Sequence, residues 1–144
     1  MNCYIDSSIL LSSLLGQSKQ FTNWSNITYA FSSMLLHVEC HRVLDRHRLL
    51  GEINDQELSD IKLNLQTFLK GITLFEISNK ILERASEPFA TALGTLDAIH
   101  LSTAILWKKE KIKKQKSSDS TDLLFLSYDE QLNTAVQASG ITII

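Results

Sequence analysis

Four acids in this chain stand where carboxylates could act together: Asp6, Glu39, Asp97 and Asp129. Asp6 closes the apolar run NCYI and Asp129 follows LLFLSY, so each either caps the next helix or points into a site. Glu39 lies in LLHVECHRVL, a turn away from Leu35, Leu36 and Val43 and therefore beside an apolar stripe; the plain alternative is a surface pair with Arg42. Asp97 falls in the first turn of LDAIHLSTAIL, where the helix dipole favours an acid, but the helix around it is almost wholly apolar. An unpaired buried carboxylate is costly, so an acid in that setting wants a cation, a donor network or an open cleft. No single position decides the matter. As a set, converging acids repel one another unless a cation neutralises them. Oxygen-only ligands favour Mg²⁺ or Mn²⁺ over zinc, and sites of that kind act on phosphates by metal-activated water attack on a phosphodiester.

These acids need elements to position them. Asn2 to Ile5 reads as a strand, Ser8 to Leu15 as a helix stopped by Gly16, and Ile27 to Phe31 as a short strand. Ser32 or Ser33 is expected to cap a helix from Met34 to Leu50, and Asn54 one that runs from Asp55 to Gly71. Ile72 to Ile77 reads as a strand, Ser78 to Ser86 as a helix, and Thr95 as the cap of a helix reaching Trp107. Beyond a lysine-rich stretch, Asp122 to Tyr128 has the continuous hydrophobicity of a buried parallel strand. A helix from Asp129 to Ser139 and a strand from Ile141 to Ile144 follow. Strands alternating with helices imply an α/β layer fold with a mostly parallel sheet, and sites in such sheets form beyond the strands' carboxyl ends. Asp6 and Asp129 are placed for that.

The bulk numbers fit one soluble domain spanning residues 1–144: 44% hydrophobic and 21% charged residues argue against global disorder. A net charge of -2 exerts no overall pull on nucleic acid, but six lysines are concentrated at Lys108, Lys109, Lys111, Lys113, Lys114 and Lys116. We read about 108–121 as an insertion loop whose lysines either grip an RNA backbone or are simply solvated. Cys3 and Cys40 suit reduced, buried thiols, and no stretch is long enough to cross a membrane, so a cytoplasmic protein is expected.

Other chemistries fit less well. His37 and His41 are one turn apart, but neither Val38 nor Cys40 is the glutamate that a zinc-protease helix requires. His100, three residues after Asp97, either orients that acid or is a packed core histidine. Phe21, Trp24, Tyr29, Phe31 and Trp107 could stack bases, but their spacing suits a core or an interface better. There is no G-x-S-x-G elbow and no phosphate-cradling glycine loop.

The strings YIDSSIL, SSMLLHVECHRVL, LDAIHLSTAIL and FLSYDEQLNTAVQASGI together resemble the PIN-domain family over nearly the whole chain, and in particular its VapC-like toxins. The resemblance implies a three-layer α/β/α sandwich and an Mg²⁺- or Mn²⁺-dependent endoribonuclease. It also implies a homodimer held inactive by a small antitoxin protein. Asp6, Glu39, Asp97 and Asp129 match the family's four acids, while Ser8 and Ser127 match hydroxyl residues two positions from the first and last acid and would support them by hydrogen bonds. The chain departs from the family pattern at Gly94 and Thr95, where many relatives carry a basic residue, and in the lysine-rich stretch. A non-catalytic PIN-like module that binds RNA or a protein is the alternative expectation.

Overall fold

A computed structural model of the chain describes residues 1–114 and 122–144. In order, the elements are β1 (Asn2–Ile5), α1 (Ser7–Leu14), β2 (Tyr29–Ser33), α2 (Leu35–Leu49), α3 (Asp55–Lys70), β3 (Thr73–Phe75), α4 (Asn79–Ala85), α5 (Thr95–Lys114), β4 (Leu123–Leu126), α6 (Glu130–Ala138) and β5 (Thr142–Ile143). The five strands form one sheet in the order β3-β2-β1-β4-β5, and every neighbouring pair is parallel. This is the expected α/β class, with helices on both faces of the sheet.

Strand periodicity builds the three layers. Successive side chains of a strand point to opposite faces, so Cys3 and Ile5 pack with α1, α2 and α3, whereas Tyr4 between them packs with α5 and α6. Phe125 and Leu126 of β4 divide in the same way. Register sets Tyr4 beside Phe31 on one side and Phe125 on the other. The Tyr4 ring stacks on Phe125 at 4.6 Å and meets Phe31 edge-on at 5.3 Å. Both faces of the central strands are buried, which is why they read as continuous apolar runs.

The helix stops fall close to expectation. Asn54 and Glu57 form a capping box at the start of α3, satisfying two backbone donors reciprocally. Gly140, just past α6, has φ +72°, a left-handed conformation that an L side chain resists. Ser78 caps α4. Cys3 and Cys40 are buried free thiols. Tyr29, Phe31 and Trp107 stack on one another in the core, and Trp24 packs against Phe21 and Phe68.

Three local expectations are corrected. Ser32 and Ser33 belong to β2, and Met34 is the cap residue of α2, although the Ser33 hydroxyl still accepts from the Leu35 amide at 3.3 Å. Thr95 is the first residue of α5, not its cap; the Ala98 amide bonds the Gly94 carbonyl, so Gly94 fills that place. The lysine run at 108–114 is helix, not loop: α5 continues to Lys114 because Lys, Glu and Ile extend a helix readily and Glu110 lies 3.7 Å from Lys113 one turn on. Lys116 and the rest of the 108–121 stretch beyond Lys114 lie outside the described residues.

Candidate metal centre

β1 lies between β2 and β4, and the chain leaves it in opposite directions, which makes the carboxyl end of β1 the point where strand order reverses. Asp6 is the next residue. Its backbone is extended and it caps α1, with Oδ2 accepting from the Ser8 amide at 3.2 Å. The same oxygen accepts from the Ser8 hydroxyl at 2.5 Å and the Ser127 hydroxyl at 2.9 Å. Among the described residues no hydrogen bond reaches Oδ1. Asp6 thus caps α1 while only 5% exposed.

Glu39 enters from the second turn of α2, and its Oε2 lies 2.7 Å from His100 Nε2 on α5. The alternative pairing with Arg42 does not form, because Arg42 bonds Asp45. His100 is fully buried, and its other nitrogen, Nδ1, lies 2.6 Å from the Tyr4 hydroxyl, which in turn accepts from the Ser33 amide at 3.1 Å. One ligand atom each from Asp6, Glu39 and His100 fall within 4.8 Å of one another. With both ring nitrogens already held by protein groups, His100 supports Glu39 better than it could serve as a ligand itself. Burial alone would pull the imidazole pKa down, but the Glu39 hydrogen bond and the charges of Glu39, Asp6 and Asp97 outweigh it and leave the pKa raised.

Asp97 and Asp129 stand outside that tight group but within its field. Burial first, then the charges of Asp129, Asp6 and Glu39, pushes the Asp97 carboxyl above its ordinary range, while His100 opposes them. Asp129 caps α6 by accepting from the Leu132 amide at 2.8 Å, and its own amide donates to Ser127 Oγ at 3.0 Å. It lies exposed at the rim. Three helix amino termini therefore meet this edge, and their positive ends partly offset the acids. The remaining excess of like charge on these partly buried carboxylates is what a hard divalent cation neutralises.

The Ser8 and Ser127 hydroxyls both donate to Asp6 Oδ2, and Ser8 Oγ also accepts from the Tyr128 amide at 3.0 Å. His100 supports Glu39 instead of Asp97. Tyr4 and Ser33 were not singled out from the sequence. A usable signal existed, since Tyr4 carries a hydroxyl in an otherwise apolar strand, two residues before the first acid.

The lysines are elsewhere. α5 runs from the acid edge back to the strands' amino ends, so Lys109 to Lys114 lie about 18 to 26 Å along the helix from Asp97 at about 1.5 Å per residue. Lys108 donates to the Gly140 carbonyl at 2.6 Å, and Lys111 lies over the Trp107 ring. Lys109, Lys111, Lys113 and Lys114 border an open groove of about 1270 Å³, which none of the four acids lines. Size alone gives that groove no chemistry. His37 and His41 stack at 4.3 Å on α2 and gather no third ligand among the described residues.

Among the described residues no helix is long and apolar enough to cross a membrane. A search of curated proteins returned no match. The family model for the PIN domain matches residues 3–135, a span that contains all four acids. The chain belongs to the PIN domain family, whose members are generally nucleases that use divalent metals.

Proposed function

We propose that this protein is an endoribonuclease that hydrolyses RNA phosphodiester bonds with Mg²⁺ or Mn²⁺, and that it is the VapC-like toxin of a toxin-antitoxin pair. The observation that carries the reading is the Asp6–Glu39 pair: each has one carboxylate oxygen held by protein donors, and their ligand atoms lie within 4.8 Å. Asp6 and Glu39 would hold the cation directly, with Asp97 and Asp129 completing the acidic ring. A divalent cation bound there supplies a water of lowered pKa and stabilises charge on the phosphodiester. Ser8 and Ser127 keep Asp6 from rotating, and His100 does the same for Glu39. With these orientations set before RNA arrives, the site does not reorganise during the reaction.

A homodimer, an antitoxin partner and a cytoplasmic location follow from the VapC-like resemblance, and the free buried thiols are compatible with a reducing compartment. The test is cleavage of a mixed structured RNA pool with Mg²⁺ or Mn²⁺, against EDTA and Asp6→Asn controls. Cutting that needs metal and disappears in the variant supports the nuclease. RNA binding without cutting would favour the non-catalytic module instead. Growth arrest on expression, lost with Asp6→Asn, would support the toxin role.

A further inference from the structure

Tyr4 touches none of the four acids through any hydrogen bond, yet it stands at the head of a buried chain that ends on one of them. The Ser33 amide donates to the Tyr4 oxygen at 3.1 Å. The same hydroxyl lies 2.6 Å from His100 Nδ1 and so fixes one end of the ring. The other end, Nε2, lies 2.7 Å from Glu39 Oε2, a carboxylate oxygen that accepts from it. We propose that Tyr4 is a positioning residue: by holding His100 Nδ1 it aims the Nε2 donor at Glu39 Oε2 and leaves Oε1 for a divalent cation. This rests on the metal-site reading above.

The physical need is clear in the packing. A glutamate has three soft side-chain torsions, and Glu39 is partly accessible, with 17% of its side chain exposed. Among the described residues His100 is its one hydrogen-bond partner. Tyr4 and His100 are both fully buried, so each polar atom of the chain must be satisfied by its neighbour. Had Tyr4 been a phenylalanine, the ring would still stack on Phe125 and meet Phe31, but His100 Nδ1 would lose its partner and the imidazole would be held from the Glu39 side alone. Groups that orient metal ligands in this way typically contribute about 10- to 100-fold to metal affinity.

The test measures Mn²⁺ binding to the RNA-free protein by calorimetry for wild type, Tyr4→Phe, His100→Gln and the double variant, alongside thermal unfolding without metal. The expected result is at least tenfold weaker Mn²⁺ binding in Tyr4→Phe. Because Tyr4 acts through His100, the double variant should bind no more weakly than His100→Gln alone. A cleavage assay should show the loss in Tyr4→Phe recovered at saturating Mn²⁺, as a positioning role requires and a damaged fold does not. Unchanged affinity in Tyr4→Phe, or losses that simply add, would overturn the inference. Should Tyr4→Phe fail to fold, an unchanged Mn²⁺ affinity in folded His100→Gln would overturn it equally. Wild type that binds Mn²⁺ but cuts no RNA would defeat the nuclease reading while the affinity comparison still decides this one; wild type that binds no Mn²⁺ defeats both.

Discussion

Ser127 Oγ donates its proton to Asp6 Oδ2 at 2.9 Å and accepts from the Asp129 amide at 3.0 Å, so one side chain ties the first acid to the last. The two acids are far apart in sequence and meet because β1 and β4 are hydrogen-bonded neighbours.

Ser127→Ala should therefore cost both stability and metal affinity. Ser127 is 1% exposed, and its loss strands the Asp129 amide and removes one of three donors to Asp6. Leaving buried groups unpaired costs about 1–3 kcal/mol. Urea unfolding should show a loss of that size, and Ser127→Thr should recover most of it; an alanine variant as stable as wild type would mean the hydroxyl carries no structural burden.

Asp97→Asn should abolish metal-dependent cleavage yet stabilise the metal-free protein at neutral pH. Burial and neighbouring acids raise the folded-state pKa of Asp97 above its ordinary 3.8. The folded state thus binds this proton more tightly than the unfolded chain, and stability falls as pH rises through the window from the ordinary to the raised value. The penalty is present above that window and absent below it. In EDTA, the variant should unfold at a higher temperature than wild type at pH 7, with the gap closing as the pH drops below the ordinary aspartate range. A gap independent of pH would assign the effect to something other than charge.

Divalent metal should stabilise the fold. A ligand that binds only the native state adds about 2.7 kcal/mol at 100 times its Kd. Mn²⁺ should raise the melting temperature of wild type and leave Asp6→Asn unmoved; equal shifts in both would place the bound ion away from Asp6.

Replacing Lys109, Lys111, Lys113 and Lys114 together by alanine should leave kcat on a short RNA oligonucleotide within about twofold of wild type. These side chains lie too far along α5 from Asp97 to touch the reacting phosphate, at the roughly 1.5 Å per residue of an α-helix. A collapse in kcat with folding intact would show that the distant end of α5 takes part in the chemistry.

Residue patterns alone carried the reading a long way. Apolar runs ended by Asp6 and shortly before Asp129 marked the carboxyl ends of β1 and β4, and Asn54 with Glu57 marked the start of α3, because capping and strand burial are local effects written in a few adjacent residues. The four acids stand out as a set and through their match to the family pattern, since no single position decides. The charge of the lysine run suggests a loop, whereas helix propensity and the Glu110–Lys113 pair extend α5 to Lys114. Which acids meet closely, that His100 bonds Glu39 and not Asp97, and that Tyr4 stands behind His100 were decided only by tertiary structure. Those relations join residues 61 and 96 positions apart, and no local rule reports them: they arise from strand order, which lets Glu39 of α2 on one face of the sheet meet His100 of α5 on the other.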